Sequence, residues 1–575
     1  MQKEWRVLPE APIDFIKDFP RHHPIITQLL YNRGLQSQQD MDIFFNPDFE
    51  RLHDPFLFQD MRKAVDRLWQ AIENKEKIMI HGDYDCDGVT SSITMFRPLK
   101  ILGADVDVFI PHREKDGYGI NLKTVERFIE QGVQLVITVD CGVTNVEPIK
   151  KLKEAGIDVI VTDHHEPLEE LPVAYAILNP KVKSDKYPFL GLSGAAVAYK
   201  FVQAIYSEEE KIKKYEAQLL EWGGPKGFLK WMLDVVAIGV VADVMPLVDE
   251  NRILVKWGLL VLEKTRNVGL KHLLDLIRTQ RIDTYTIGFQ IAPRINAAGR
   301  MDHARIAFDL LVEEDEVEAE KLAWKLQQYN QDRQSITEVA VSQARNQMDE
   351  QKGKSILFAY QADWPAGIIG LIAGRLSEDF YKPVIVMTQT ESGVVGSGRS
   401  VEGYDLTEGL VSISKVFSRF GGHSQACGFT LTDLNVMDEF REGMCLHADK
   451  EMSEKNLTPF FQIDAEIKAE DVGLGFLNQL EAFEPFGEVN SKPNFLLKDL
   501  EVAGIDFLGQ EKNHLRLMVK HTTPRVFKMM KFNSKNLSEV LRMGQKIDLV
   551  VELSKNEWKG RVEPQFIIVD IKINK

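Results

Sequence analysis

Between Lys75 and Pro180 the chain repeats one pattern, in which short β-rich apolar runs ("KIMIHG", "DVDVFIP", "QLVITVD", "DVIVTDHH") alternate with helical stretches such as "NLKTVERFIEQG" and "NVEPIKKLKEAG". Few architectures accept that alternation. Parallel strands need crossover connections, so the pattern predicts an α/β domain with a parallel sheet. Acidic residues stand just past several of the apolar runs, and open α/β sheets bind their ligands outside the carboxyl ends of the strands.

Two further regions follow. From Glu316 to about Lys352 a Gln- and Glu-rich segment without Pro or Gly predicts a long connecting helix. A second α/β region ("SILFAY", "PAGIIGLIAGRLSEDF", "PVIVMTQ") carries the Gly-rich segments "VVGSGRS" and "RFGGHSQACGF" and ends near Lys450. After Phe460 short alternating runs ("FQIDAEI", "HLRLMVK", "KIDLVVELS", "QFIIVDIKI") predict a small β-barrel. The expected divisions are a lead-in over 1–70, a first α/β domain over 71–315, the connecting helix over 316–352, a second α/β domain over 353–455 and a barrel over 456–575.

At 575 residues and 44% apolar content the chain can build several cores. The longest membrane candidate, "WMLDVVAIGVVADVM", is interrupted by Asp234 and Asp243, so no membrane association is expected. "MQKEWRVLPEAPIDF" lacks the apolar core of a signal peptide, and a cytoplasmic location is expected. Cys86, Cys141, Cys427 and Cys445 form no C-x-x-C pair, which argues against a zinc ribbon or a disulfide framework. The net charge of −16 excludes a generally sticky polyanion binder. From Leu496 onward, however, 15 Lys and Arg face 10 Asp and Glu, so the tail suits nucleic acid.

The spacing H-x-x-x-D-x-D lets His81, Asp85 and Asp87 project from one loop at a strand end. Alone, such aspartates could equally form Asx turns or cap the next helix. Two more strand ends add Asp140 in "VITVDCG" and Asp163, His164 and His165 in "VIVTDHHEP", and Asp243 in "GVVADVMPL" can complete the set. Packed carboxylates resist ionising unless cations relieve them. Mixed imidazole and carboxylate donors suit Mn2+ or another first-row ion better than Mg2+ or Ca2+. Six or seven ligands exceed what one ion needs, whereas two ions sharing a bridging carboxylate suit phosphate-ester hydrolysis.

"DYDCDG", "VDCG", "TDHH" and "VADVMPL", in this order, resemble the four motifs of the DHH phosphoesterase family, and "GGHSQACGF" resembles the motif of its associated C-terminal domain. "LHDPFLFQDMRKAV", "GYGIN", "APRINAAGRM" and "EPFG" ahead of a barrel are similar to the family's single-strand-specific exonucleases. The resemblance implies a DHH domain, a DHH-associated domain and an OB-like barrel that binds single strands. It implies a 5′-to-3′ exonuclease acting in recombination and repair, with two divalent ions, Mn2+ preferred and Mg2+ accepted. His81 and Asp85 would bind one ion, Asp87, His164 and Asp243 the other, and Asp140 both. His165 would contact the scissile phosphate and Asp163 would orient its neighbours. Arg113, Arg294, Arg300, Arg375, Ser397, Arg399, Gly422 and His423 would hold the 5′ end.

Single-stranded DNA is the implied partner, with a single-stranded-DNA-binding protein and a RecQ-type helicase as associates and a monomer as the working state. "GSGRS" by itself is a common turn, and His423 by itself an ordinary loop histidine. Phe527, Phe532 and Trp558 are stacking candidates that barrel cores also use. Two departures stand out: "EPFGEVNSKPNF" lacks the family's usual Gly-Asn-Pro, and Pro98 falls inside the expected helix. The competing readings are a DHH-type nanoRNase or small-nucleotide phosphatase and a non-catalytic DNA-binding replication subunit. The barrel and "APRINAAGR" argue against the first, and the complete ligand set argues against the second.

Overall fold

A computed structural model describes the chain except residues 1, 2, 280, 392, 454–457, 510, 511, 533, 535–539, 559 and 575, and the side chain of Trp558. The chain divides into two compact units, one of residues 1–51, 246–252 and 459–575 and one of residues 52–245 and 253–458.

The larger unit begins with the expected parallel sheet. Strands β1 (Ile78–His81), β2 (Val106–Phe109), β3 (Leu135–Val139), β4 (Asp158–Thr162) and β5 (Ala176–Leu178) lie in the order β2-β1-β3-β4-β5, every pair parallel. β5 had no sequence signal. Because all five point the same way, His81, Asp140 and Asp163 arrive at one edge.

Helix α1 (Cys86–Ile101) follows β1 and is buried over most of its length. Three of its four buried Ser and Thr hydroxyls donate one turn back, Thr90 to the Cys86 carbonyl, Ser92 to Gly88 and Thr94 to Thr90, at 2.7–2.8 Å, while Ser91 Oγ has no partner. The helix passes through Pro98, whose carbonyl accepts from Tyr206 Oη at 3.2 Å. Helices α2 (Gly194–Tyr206) and α3 (Leu233–Ala242) are buried along nearly their whole length, which accounts for the uninterrupted apolar run that precedes Asp243.

Helix α4 (Ala292–Met301) carries "APRINAAGRM", and helix α5 (Glu316–Asp349) is the long connector, 34 residues in length. The second sheet holds β6 (Leu357–Tyr360), β7 (Val384–Thr390), β8 (Gly393–Arg399), β9 (Phe417–His423) and β10 (Ala426–Leu431) in the order β9-β10-β8-β7-β6. "GSGRS" is therefore strand, not turn. The glycines serve packing: a Cβ on Gly396 would sit 2.1 Å from the Phe429 ring, and one on Gly398 would sit 2.6 Å from Cys427 Sγ.

In the smaller unit β12 (Phe495–Leu508), β13 (His514–Lys520), β14 (Val526–Lys531), β15 (Lys546–Trp558) and β16 (Arg561–Ile573) close into a barrel through β12–β15 pairing, with β11 (Ala465–Glu466) added beside β12. The lead-in as far as residue 51 belongs to this unit, because Ile26, Leu29, Leu30, Met41 and Phe44 share one core with Phe495, Leu517 and Phe566, whereas residues 52–70 fall in the larger unit.

The altered "EPFG" loop is held by two polar side chains. Arg252, 3% exposed, donates to the carbonyls of Phe44, Phe483, Pro485, Ala482 and Glu484, and its guanidinium lies 3.8 Å over the Phe44 ring. Asn490 Nδ2 donates to the Phe483 and Pro485 carbonyls, both at 2.8 Å. Arg252→Ala strands buried carbonyls, and urea unfolding is expected to show this unit destabilised by roughly 3–5 kcal/mol. Arg252→Lys is expected to recover only part, since an ammonium lacks the planar five-donor fork.

Candidate metal centre

Three backbone devices converge the acids. The loop after β1 carries Asp83 and Asp85, and Asp85 caps α1 by accepting from the Gly88 N–H at 3.0 Å. After β3, Asp140 occupies left-handed backbone at φ 60°, a conformation that carries strain in a residue with a side chain. Past α3, Asp243 joins the same edge. Room for the carboxylates comes from glycine: a Cβ on Gly194 would lie 2.5 Å from that of Asp140, and one on Gly239 would lie 2.5 Å from Asp87 Oδ1.

The side chains form three groups whose donor atoms lie within 4.8 Å of one another: Asp83, Asp85 and Asp140; Asp87, His164 and Asp243; and Asp140, His164 and His165. Asp140 is shared. His164 Nε2 lies 3.0 Å from Asp140 Oδ1, 3.5 Å from Asp243 Oδ2 and 3.8 Å from Asp87 Oδ2. The carboxylate of Asp87 also accepts from the Gly194 and Ala195 N–H groups that open α2, at 2.6 and 3.1 Å.

The electrostatics ask for cations. Burial and then the neighbouring Asp85 push Asp83 up to about 8 and Asp87 to about 7, while burial and then Asp87 push Asp243 to about 9. Asp140 is raised well above the usual carboxylate range by burial and by Asp87, Asp85 and Asp243. Burial and the charge of His165 lower His164 to about 3, so its imidazole is neutral and able to ligate. Asp83 Oδ1, Asp243 Oδ2 and His164 Nδ1 are buried without a hydrogen-bond partner. Crowded acids, a neutral imidazole and orphaned oxygens fit two divalent ions.

His81 is not in these three groups, where Asp83 joins Asp85 and Asp140, although its Nε2 is likewise buried without a hydrogen-bond partner. His81 ends β1 on the same pleat face as Met79. Its ring packs 5.4 Å from that of Phe109 and 6.1 Å from that of Phe128, and burial lowers it to about 4. Its Nδ1 faces Cys141 Sγ at 3.6 Å. Cys86 and Cys141 are buried, and neither is in the three groups.

His165 differs sharply from its neighbour. Burial works against its charge, but the bond to Asp163, at 2.8 Å from Nδ1, prevails and raises it to about 9. Tyr118 Oη lies 3.1 Å from the same nitrogen and donates to the Asp140 carbonyl at 3.3 Å. Asp163 also accepts from the backbone N–H groups of Val143, His164 and His165. Tyr118, from "GYGIN", had no assigned role in the sequence reading. Nor had Asn296, whose Oδ1 accepts the Cys86 N–H at 2.9 Å and pins the start of α1.

Beside the acids sits an arginine group. Burial and then Arg113 and Arg333 lower Arg300 to about 9, while it donates to the Gly367 carbonyl at 2.9 Å. The Arg113 guanidinium lies 4.0 Å over Tyr84, and the Nε atoms of Arg113 and Arg333 are buried without partners. Arg399 donates to Ser397 Oγ at 3.2 Å, and a Cβ on Gly370 would lie 3.2 Å from that oxygen. No close ion pair to any of these arginines is seen among the described residues, although Arg113 is within electrostatic reach of Asp83 and Arg300 of Asp85. Arg333, on polar α5, carried no sequence signal.

The remaining expected residues are placed differently. Arg294 is bonded to Gln327 and the Gln290 carbonyl, and Arg375 is exposed. Gly422, at φ 147°, and His423 lie on the exposed β9 hairpin, whose Arg419 reaches Gly117 of "GYGIN". In the barrel Phe527 is buried and Phe532 exposed, while the Trp558 side chain lies outside the described residues.

Comparison with known proteins agrees with this geometry. The N-terminal domain of the DHH family matches residues 77–223, the DHHA1 domain 353–445 and the RecJ OB domain 463–570. The chain is 36% identical over 557 residues to the single-stranded-DNA-specific exonuclease RecJ of Bacillus subtilis, covering 96% of this chain and 68% of that protein. The chain belongs to the RecJ family. The RecJ of Haemophilus influenzae is 31% identical, with 87% of each chain covered. The crystal structure of RecJ in complex with Mn2+ from Thermus thermophilus superposes with a TM-score of 0.82 at 27% identity, over 100% of this chain and 80% of that one. An exonuclease RecJ bound to manganese gives 0.60 at 31% identity, over 70% of this chain and 99% of that one.

Calorimetric titration with Mn2+ is expected to show two sites in this RecJ-family chain and the loss of one in Asp83→Asn. His81→Gln is expected to keep both, and the reverse ranking would return His81 to the ligand set. Metal-free protein is expected to lose stability as pH rises from about 7 to 9. Unfolded carboxyls ionise near 4 and imidazoles near 6.5, whereas folded Asp87, Asp83, Asp243 and His165 hold protons to about 7, 8, 9 and 9. The folded state therefore binds more protons in that window. Thermal melts in chelator should fall across it, and added Mn2+ should restore the melting temperature.

Proposed function

We propose that the chain is a single-strand-specific DNA exonuclease that releases mononucleotides from the 5′ end and serves recombination and repair. The observation that carries the reading is Asp140, shared between two metal-capable groups, with Arg113 and Arg300 in electrostatic reach of their acids. Asp83, Asp85, Asp87, Asp140, His164 and Asp243 would hold two divalent ions, Mn2+ in preference to Mg2+. Bound there, the ions supply Lewis acidity that polarises the phosphoryl oxygens and acidifies the attacking water.

The chain's own residues do the rest. Asp163 and Tyr118 fix the His165 ring through Nδ1, which leaves Nε2–H free to donate to a non-bridging oxygen of the scissile phosphate. A protonated imidazole held in place stabilises the charge that grows on that oxygen. Arg113, Arg300, Arg333, Arg399 and Ser397 grip the 5′-terminal phosphate, for which guanidinium forks are suited. Arg294, Arg375, Gly422 and His423 guide the strand. Selectivity for single strands is steric, because Arg300 meets Gly367 and Arg419 reaches Gly117, drawing the two α/β layers together around the arginines.

No helix among the described residues is long and apolar enough to cross a membrane. A cytoplasmic monomer, fed by a RecQ-type helicase and a single-stranded-DNA-binding protein, completes the reading.

Matched single-stranded and duplex DNA labelled at either end, with Mn2+ or chelator, tests it. Mononucleotide should appear at once from the 5′ label on single strands alone and vanish with chelation. Digestion of short oligonucleotides only would favour a small-nucleotide hydrolase. His165→Ala is expected to cut kcat by roughly 10²–10³-fold while leaving Mn2+ binding intact.

A further inference from the structure

Outside the metal centre, one pair of rings stands in water without an evident structural use. Tyr285 and Phe289 are 60% and 69% exposed, yet they stack on each other with centroids 4.7 Å apart and planes 24° from parallel. Each therefore turns one full face outward. They lie where the short helix Thr284–Thr286 runs into a π-helical turn, Ile287–Ile291, directly ahead of α4. Such turns are rare and concentrate at functional sites.

The position links two features already on the same unit. Towards the metal centre, a Cβ on Gly288 would lie 3.8 Å from Val241 Cγ1, two residues before Asp243. Away from it, Thr286 Oγ1 donates to the Arg281 carbonyl at 3.1 Å, and Arg281 lines a cavity of about 820 Å³ together with Lys264, Lys271 and Arg278. Only Glu263 and Asp275 oppose those four cations among its lining residues. Arg294, one turn past Phe289, donates to the Gln290 carbonyl at 2.6 Å.

A basic cavity beside outward-facing rings is the combination that tracks a single strand, phosphates on the cations and bases on the rings, without regard to sequence. We propose that Tyr285 and Phe289 form a base-stacking platform for nucleotides of the substrate outside the metal centre, and that the Lys264, Lys271, Arg278 and Arg281 cavity takes phosphates of the same stretch. The proposal rests on the exonuclease reading above and adds a substrate subsite to it. The cations alone would attract an acidic protein segment equally well. The paired ring faces favour a nucleobase.

The test compares the full chain with a Tyr285→Ala, Phe289→Ala double variant and with Tyr285→Phe. Binding of a long oligothymidine is measured in chelator by fluorescence anisotropy, alongside the same phosphodiester chain lacking its bases, and kcat/KM is measured on the long strand and on a dinucleotide. The double variant is expected to bind the oligothymidine about tenfold or more weakly and to raise its KM, with the abasic chain and the dinucleotide unchanged. Tyr285→Phe should match the parent, which shows that ring area and not the hydroxyl matters.

Unchanged oligothymidine binding, or equal weakening on the abasic chain, would overturn the platform while the exonuclease reading stands. Loss of binding to polyglutamate, with DNA binding intact, would assign the patch to an acidic protein and likewise overturn it. A parent that cuts no strand at all would sink the exonuclease reading itself and this subsite with it.

Discussion

Asp83, Asp87, Asp140 and Asp243 are pressed together at one sheet edge, where each raises the proton affinity of its neighbours. The arrangement is unfavourable without cations, so the surrounding fold has to impose it. The parallel sheet delivers the strand ends to one side, and the N-terminus of α2 ties down Asp87 through two backbone N–H groups. Gly194 and Gly239 clear the space, and Asp140 accepts left-handed backbone to enter it. Divalent ions convert that electrostatic cost into affinity, because ionised carboxylates are what they bind. The centre is thus assembled by packing and completed by charge.

His164 and His165 show how environment separates neighbours in sequence. His164 sits among acids but gains no hydrogen bond at Nδ1, and burial together with the adjacent imidazolium keeps it neutral. His165 meets Asp163 at 2.8 Å and stays protonated to about 9. One is fit to be a ligand and the other a donor. Asp163 makes the division, since its backbone and side-chain bonds hold it ionised despite complete burial. Replacing either imidazole with the other's partner set would exchange their roles, which is why the order of the two histidines carries chemistry.

Much of this was legible in the sequence where a periodicity or a strand end carried it. The parallel sheet and the closing barrel followed from apolar runs and the long helix from a polar stretch without Pro or Gly, and Asp87, Asp140, His164 and Asp243 were singled out from their places after strand ends or apolar runs. His81 and Asp83 were not separable in that way. Which of two residues enters the cleft depends on the pleat face of β1 and the turn after it, and both need the packed Phe109 and Phe128 rings to be seen. "GSGRS" suggested a turn because glycine usually marks one, yet here glycine makes room for Phe429 and Cys427. The lead-in's place in the barrel core depends on contacts more than 400 residues apart in sequence, such as that of Asn32 with the Asp464 carbonyl.

A chain of net charge −16 that handles a polyanion must concentrate its positive charge. Several surface cations here are paired with acids, as in the pairs of Arg62 with Glu208, Lys492 with Glu552 and Arg516 with Asp506. Arg113, Arg300, Arg333 and Arg399 are left without such partners, and burial of Arg300 depresses it to about 9, so a phosphate arriving there repays desolvation already spent in folding. Few phosphate contacts also mean a shallow dependence of binding on salt, because each neutralised phosphate releases less than one counterion. On the proposed reading, charge distribution works with the steric closure of the two layers, and a strand end that reaches the arginines would be held there.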